Sequence, residues 1–194
     1  MNEKIRTLTD WFLLKRAEAT VRGYGRERLA SVKQLAQAAS ARVALADEST
    51  DATFAPGAVT LHREAIRLWG SALLVARGLA PPGPPLELPA VLATIEEMAA
   101  RGELPPLPKR YADARAVLDT PEHLLFEGKD GIDRARGRSA VEMLTAWLDR
   151  QVESRNVLEI WQARIARFAG GLVALAVLVR VLVAALRMHK PGVG

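Results

Sequence analysis

The sequence predicts an all-α protein: a helical bundle domain followed by a long helix that runs into a single C-terminal transmembrane span. Two observations favour this class. Hydrophobic residues recur at helical steps of three and four almost throughout the chain. A stretch of 19 residues, Phe168 to Leu186, then carries a single charge. Of the 194 residues, 49% are hydrophobic, which suits a packed core, and 25% are charged, as is ordinary for a soluble domain.

The predicted organisation has four parts: a cytoplasmic helical bundle at 1–131, a connecting helix at 132–167 that packs on the bundle, a transmembrane helix at 168–186 and a short polar tail at 187–194. The connecting helix is expected to begin between Ile132 and Ser139 and to continue without a break to Met188. No segment shows the strict alternation of a strand, and no repeat of fixed period is present.

Glycine and proline divide the predicted bundle into separate helices. The first helix is expected to carry its apolar residues from Ile5 to Leu14 and to be broken at Gly23-Tyr24-Gly25. Further helices are expected at Glu27 to Asp47, Thr60 to Arg77, about Pro89 to Gly102 and Tyr111 to Leu118, with a short helix from Thr120 through Phe126. Gly78 is expected to stop one helix, and the proline-rich segments 81–85 and 104–108 to act as connectors. Trp11, Trp69 and Trp147 each lie on an apolar stripe and are expected to be largely buried.

The energetics of the apolar segment favour insertion into a bilayer. As a helix it is ~28 Å long, close to the ~30 Å of a hydrocarbon core. Eleven of its residues are Phe, Leu or Val, which together favour insertion by ~3 to 7 kcal/mol. Arg180 costs ~2.5 to 3.5 kcal/mol at the centre of a span, but it lies only ~9 Å of helix from Leu186 and is expected to reach the nearer interface. The alternative is a fully buried core helix.

The predicted membrane anchor consists of an interfacial tryptophan, the large apolar residues of the segment and its one charge: Trp161, Phe168, Leu172, Leu175, Leu178, Arg180, Leu182 and Leu186. Membrane lipid is thus an expected partner.

The charges around the segment predict its orientation. Four arginines lie within about 20 residues before it, Arg150, Arg155, Arg164 and Arg167, and two basic residues follow it, Arg187 and Lys190. The positive-inside rule places the preceding domain in the cytoplasm. The absence of a secretory signal in the first residues agrees with this expectation. Abundant arginine and alanine are typical of a GC-rich bacterial genome, so the expected location is the bacterial inner membrane, crossed once.

An apolar stripe with regular three-four spacing runs along the last helix: Leu158, Trp161, Ile165, Phe168, Leu172, Leu175, Val179, Leu182 and Leu186. Such spacing is typical of a coiled-coil seam, which makes self-association one interpretation. The other is a lone anchor helix packed on its own domain, and the sequence favours this second interpretation because nearly every position after Phe168 is apolar.

No catalytic, cofactor or metal motif stands out. The chain has no cysteine, and its histidines, His62, His123 and His189, do not share metal-ligand spacing. His62 is expected to be a solvated residue in a first helical turn. Gly128-Lys129 lacks the flanking residues of a phosphate-binding loop. The mild net charge of +5 does not indicate specific nucleic-acid binding.

Two local charge and proline patterns have structural interpretations. The densest basic cluster, Arg134, Arg136 and Arg138, is expected to be a solvated face. Asp130 and Asp133 should favour the start of the connecting helix through its dipole. Segment 105–110 fits a stiff connector better than a peptide that docks into an aromatic groove.

Two classes of function remain open at this point. The first is a non-enzymatic, membrane-anchored interaction protein, an accessory subunit or scaffold with a protein partner. The second is a membrane-tethered enzyme whose site is assembled from dispersed side chains such as Glu96, Glu97, Arg63 and Arg67. A pocket lined by convergent charged groups favours the enzyme, whereas a broad exposed apolar surface favours the interaction protein.

Overall fold

The computed structural model describes residues 14–48, 56–121, 123–124 and 133–188; for residue 134 and residues 183–188 it describes the backbone alone. Seven helices occupy these residues: α1 Lys15–Arg22, α2 Arg26–Glu48, α3 Pro56–Arg77, α4 Leu88–Ala100, α5 Tyr111–Asp119, α6 Arg134–Gln151 and α7 Val157–Met188. No strand occurs in the described ranges, so the predicted all-α class with a long apolar C-terminal helix is confirmed.

The chain divides into two compact units. The bundle is Tyr24–Ser154 and contains α2 to α6. The anchor unit joins Met1–Gly23 to Arg155–Gly194 and contains α1 and α7. These units divide the chain at other positions than the predicted parts, because α6 belongs to the bundle whereas α7 does not.

Helix α3 forms the centre of the bundle. It packs most extensively against α2 and also contacts α4, α5 and α6. Eight consecutive residues, Leu68–Val75, are buried, because neighbours cover the helix on every side. Gly70 gives α4 room to approach: a Cβ atom there would stand 2.1 Å from Cγ1 of Val91.

Two glycines end helices in the same way. Gly78 after α3 and Gly102 after α4 have φ of 74° and 73°, a left-handed conformation that glycine adopts without steric cost. The N–H groups of Gly78 and Leu79 donate to the carbonyls of Val75 and Leu74, the paired bonds of a Schellman motif. Both predicted helix stops are confirmed.

The proline-rich connectors are held against the bundle. The backbone N–H of Leu86 donates to Oγ of buried Ser71, at 3.0 Å, and that of Gly83 donates to Oγ of Ser31. In the second connector Leu104 is buried, and Leu107 packs against the core. Hydrogen bonds in the first connector and apolar contacts in the second explain why both segments follow one path without helix or strand.

The predicted unbroken helix from the connecting segment to Met188 is wrong. Helix α6 ends at Gln151 and α7 begins at Val157. Asn156 and Glu159 form a capping box: Glu159 N donates to Asn156 Oδ1 and Asn156 N donates to Glu159 Oε2, both at 2.8 Å. Because these two side chains satisfy backbone donors at the N-terminus of α7, a separate helix starts here.

Other expectations about the bundle have mixed outcomes. Helix α3 begins at Pro56, one turn before the predicted Thr60, because proline is accepted in a first turn. Trp69 is buried with 4% of its surface exposed, as predicted, and Trp147 is partly buried against the core. Trp11 lies outside the described residues, as do Glu122, Leu125 and Phe126 of the short helix predicted from Thr120 through Phe126.

Candidate functional sites: an exposed apolar helix and a polar cleft

Helix α7 has the dimensions of a membrane span. Its 32 residues make it ~48 Å long. Within the described part of the chain, Val157–Leu182 is the one stretch of helix long and apolar enough to cross a bilayer, and none of its most apolar window is buried. The alternative of a buried core helix does not fit this exposure, because the large apolar side chains from Phe168 to Leu182 are all about half exposed or more.

The structure places the predicted anchor residues on this one helix. Those with described side chains are exposed: Trp161, Phe168, Leu172, Leu175, Leu178, Arg180 and Leu182. Leu186 also lies in α7, and its side chain is outside the described part.

A partly buried ion pair joins the two helices of the anchor unit. Arg164 Nη2 of α7 lies 2.7 Å from Glu18 Oε2 of α1, with the two side chains only 12% and 17% exposed. Arg22 also bonds Glu18, at 2.7 Å. The hydrogen bond from Arg164, followed by that from Arg22, holds the pKa of Glu18 below its usual range. The Arg164 guanidinium lies over the Trp161 ring, 4.6 Å from its centroid, so it also fixes that indole.

The four residues suggested for a dispersed enzyme site are engaged in separate structural contacts. Arg63 donates to the backbone carbonyls of Val117, at 2.8 Å, and Thr120, and so holds the end of α5. Three further contacts use the other residues: Arg67 with Glu64 at 2.8 Å, Glu97 with Arg101 at 3.0 Å, and Glu96 with the Tyr111 hydroxyl at 2.6 Å. Burial, with the bond to Glu96, raises the pKa of Tyr111. These contacts give each of the four residues a structural role in the bundle.

The basic cluster at the start of α6 is paired with carboxylates. Arg136 lies 2.9 Å from Asp113, and Arg138 lies 2.7 Å from Glu142. Asp133 caps the helix by accepting the N–H of Arg136 at 3.1 Å, which confirms its predicted place at the helix start. The Arg134 side chain and Asp130 lie outside the described part.

A polar cleft of ≈ 360 Å³ opens in the bundle between α2 and α6, and α3 forms its floor. Its walls and floor come from residues that lie within two turns of each helix: Ser40, Val43 and Asp47 from α2, His62 and Trp69 from α3, and Glu142, Thr145, Ala146 and Asp149 from α6. Both walls pack on α3.

His62 is the residue for which the sequence interpretation was wrong. It is 3% exposed instead of solvated, because α3 begins at Pro56 and carries His62 in its second turn, on the face of Ala65, Ile66 and Trp69. Burial lowers the pKa of His62, against the opposing effects of Asp47 and Glu142. The imidazole is therefore neutral at pH 7 and does not offset the carboxylates of the cleft.

The cleft residues were not predicted as a group. A signal was available in the seven-residue spacing of His62 with Trp69 and of Glu142 with Asp149, which puts each pair on one helix face. Nothing in the sequence says that α2 and α6 face each other across α3. A neutral imidazole beside carboxylates has the groups needed for general acid–base catalysis. Within the described ranges, no set of three or more His, Cys, Asp or Glu side chains is arranged to hold a metal ion.

Comparison with protein-family models, with curated proteins and with solved structures found no significant match.

Proposed function

We propose that this protein is a membrane-anchored helical interaction protein, an accessory subunit or scaffold, whose bundle contributes binding surface instead of catalysis. The observation that carries the proposal is the exposed apolar surface of α7 from Phe168 to Leu182. In water this surface is unfavourable at roughly 25 cal/mol per Å² of apolar area, whereas a bilayer covers it completely.

The insertion energies support a bilayer as the cover. The apolar residues of Phe168 to Leu186 contribute ~3 to 7 kcal/mol, which exceeds the ~2.5 to 3.5 kcal/mol cost of one central arginine at most values of that range. Arg180 is exposed and lies off the centre of the segment, ~9 Å of helix from Leu186, a distance over which its long side chain can extend toward the nearer interface.

We further propose that the bundle lies in the cytoplasm of a bacterium, under an inner membrane that the chain crosses once. The supporting asymmetry is four arginines shortly before the segment against Arg187 and Lys190 after it. Of the four, Arg164 is bound to Glu18 and stacked on Trp161, so its charge is held at the base of the span.

Paired reporter fusions test this topology. A reporter active only in the cytoplasm and one active only outside it are attached in turn to the N-terminus of the full chain. The proposal expects activity from the cytoplasmic reporter alone. Activity from the external reporter alone would contradict the proposed orientation. The bundle and its protein partners would then lie outside the cytoplasm.

The polar cleft is the observation that favours an enzyme as the second candidate. Its buried His62 and its carboxylates from α2 and α6 converge on one cavity, which is the feature expected of a site. The test is turnover of panels of model substrates by the purified full chain, with Asp149→Asn as the matched variant. If the unchanged chain turns over a substrate and Asp149→Asn does not, the protein is an enzyme and the interaction proposal fails. Equal rates in the unchanged chain and in Asp149→Asn would assign the turnover to a contaminant.

A further inference from the structure

We infer that α1, together with the first turns of α7, binds the headgroups of anionic phospholipids at the end of the span that adjoins α1. The inference rests on the proposed function, because it takes Phe168 to Leu186 as the part of α7 inside the bilayer. It deepens that function by naming the class of lipid that the anchor unit selects and the helix that contacts it.

Positive charge is concentrated in the part of the chain next to the span. The described residues 14–23 and 155–167 carry two acidic side chains, Glu18 and Glu159, against six basic ones, a net charge of +4. We call the six the basic collar: Lys15, Arg16, Arg22, Arg155, Arg164 and Arg167. The bundle, Tyr24–Ser154, carries 16 basic and 18 acidic side chains, a net charge of −2. A cluster of roughly four to eight Lys or Arg beside a span is typical of a contact with anionic lipid.

The ion pair between α1 and α7 sets the depth of α1 relative to the bilayer. Arg164 lies four residues before Phe168, which is ~6 Å of helix. The headgroup layer on each side of the hydrocarbon core is ~5 to 8 Å thick. Because Glu18 lies 2.7 Å from Arg164, the ion pair holds the middle of α1 at the level of the headgroups.

Helix α1 presents its cations on the face that points away from this ion pair. Leu14, Glu18 and Val21 follow each other at steps of four and three, so they share one face, and Leu14 and Val21 are buried. Arg22 is 65% exposed although it also bonds Glu18. The exposed residues of the helix include three cations and no carboxylate: Lys15, Arg16, Ala19, Thr20 and Arg22.

An anionic headgroup matches this face in charge and in depth. Each cation close to an anionic membrane surface favours association about fivefold, and the effect extends over a Debye length of ~10 Å at 0.1 M salt. A zwitterionic headgroup has no net charge and lacks this attraction. A soluble polyanion has the charge but is not confined to headgroup depth. The basic collar therefore selects anionic lipid from a mixed bilayer.

Energy transfer from α1 to labelled lipids tests the inference. Because the chain contains no cysteine, Ala19→Cys places a single donor fluorophore on the exposed face of α1 in the full-length chain. The labelled chain is reconstituted in phosphatidylcholine liposomes that contain a trace of acceptor lipid. The acceptor is either phosphatidylglycerol or phosphatidylcholine, with the same dye on its acyl chain. The ratio of transfer to the two acceptors measures how strongly the anionic lipid is enriched around α1.

The inference expects a several-fold enrichment of phosphatidylglycerol at low ionic strength, which shrinks at 1 M salt, where the Debye length is ~3 Å. Lys15→Gln with Arg16→Gln should remove most of the enrichment while leaving Glu18 with both of its arginines. Lys15→Arg with Arg16→Lys keeps both charges and should keep the enrichment. Arg42→Gln with Lys109→Gln, which removes two exposed cations of the bundle, is the matched control and should also keep it.

The possible failures of the inference and of the proposed function differ. Equal transfer to both acceptors, in a chain that floats with the liposomes, would overturn the inference and keep the anchor. An enrichment that persists when Lys15 and Arg16 are both glutamine would also overturn it, because the outer face of α1 would not be the lipid contact. A chain that neither floats with the liposomes nor transfers energy to either acceptor would remove the anchor, and the inference with it.

Discussion

Gly70 is where the packing of the bundle can be tested most sharply. A Cβ atom at this position would stand 2.1 Å from Cγ1 of Val91 and 3.3 Å from Cδ1 of Ile95. Both neighbours are fully buried, and the β-branched Val91 has little rotamer freedom with which to move aside. Overpacking of this kind costs ~1 to 3 kcal/mol, and the short distance favours the upper end.

The expected net change for Gly70→Ala is about 2 kcal/mol less stability, because alanine returns about 1 kcal/mol of helix propensity. Gly57→Ala is the matched control in the same helix, where nothing lies within 4 Å of the added atom, and it should be neutral or slightly stabilising. The assay is thermal unfolding in detergent followed by far-ultraviolet circular dichroism, with a fall of roughly 4–8 °C expected for Gly70→Ala. Val91→Ala should recover part of that loss. Equal stability of the two glycine variants would refute the packing of α4 on α3.

Three further perturbations probe the core, the anchor and the cleft. Trp69→Ala should cost ~3 to 5 kcal/mol in chemical denaturation, and a stable variant would mean that this face of α3 is not core. Val177→Arg should cost ~2.5 to 3.5 kcal/mol of insertion energy and move the chain toward the soluble fraction, whereas Val177→Leu should not. Because burial depresses the pKa of His62 in the folded state, the unfolded state binds more protons below the ordinary value of 6.5. Stability should therefore be full above pH 6.5 and fall as the pH drops toward the folded-state pKa, and His62→Gln should flatten that slope; an unchanged slope would contradict a buried neutral imidazole.

The elements predicted best are those that local chemistry determines. The helix ends at Gly78 and Gly102 require a left-handed backbone conformation, which glycine adopts most readily. A glycine at the end of a helical pattern therefore predicts these helix ends from the sequence alone. The buried position of Trp69 follows from the three-four spacing of its helix. The exposed apolar run from Phe168 is visible because its length exceeds what a core helix ordinarily needs.

The missed features depend on contacts between distant residues or on a short motif hidden in a helical pattern. The break before α7 is encoded by Asn156 and Glu159, but the surrounding hydrophobic spacing is helical on both sides and conceals it. The cleft required knowing that α2 and α6 lie on either side of α3. The pairing of Glu18 with Arg164 joins residues 146 positions apart, a separation that no local pattern reports.

The central claim is that α7 anchors the protein in a membrane, and alkaline extraction tests it most directly. Membranes from cells that produce the full chain are washed at high pH, which releases peripheral proteins and leaves integral ones in the pellet. The account predicts that the chain stays in the pellet and is released only by detergent, because the apolar side chains from Phe168 onward are covered by lipid. Recovery of the folded chain in the alkaline supernatant without detergent would contradict it and would assign this surface to another protein.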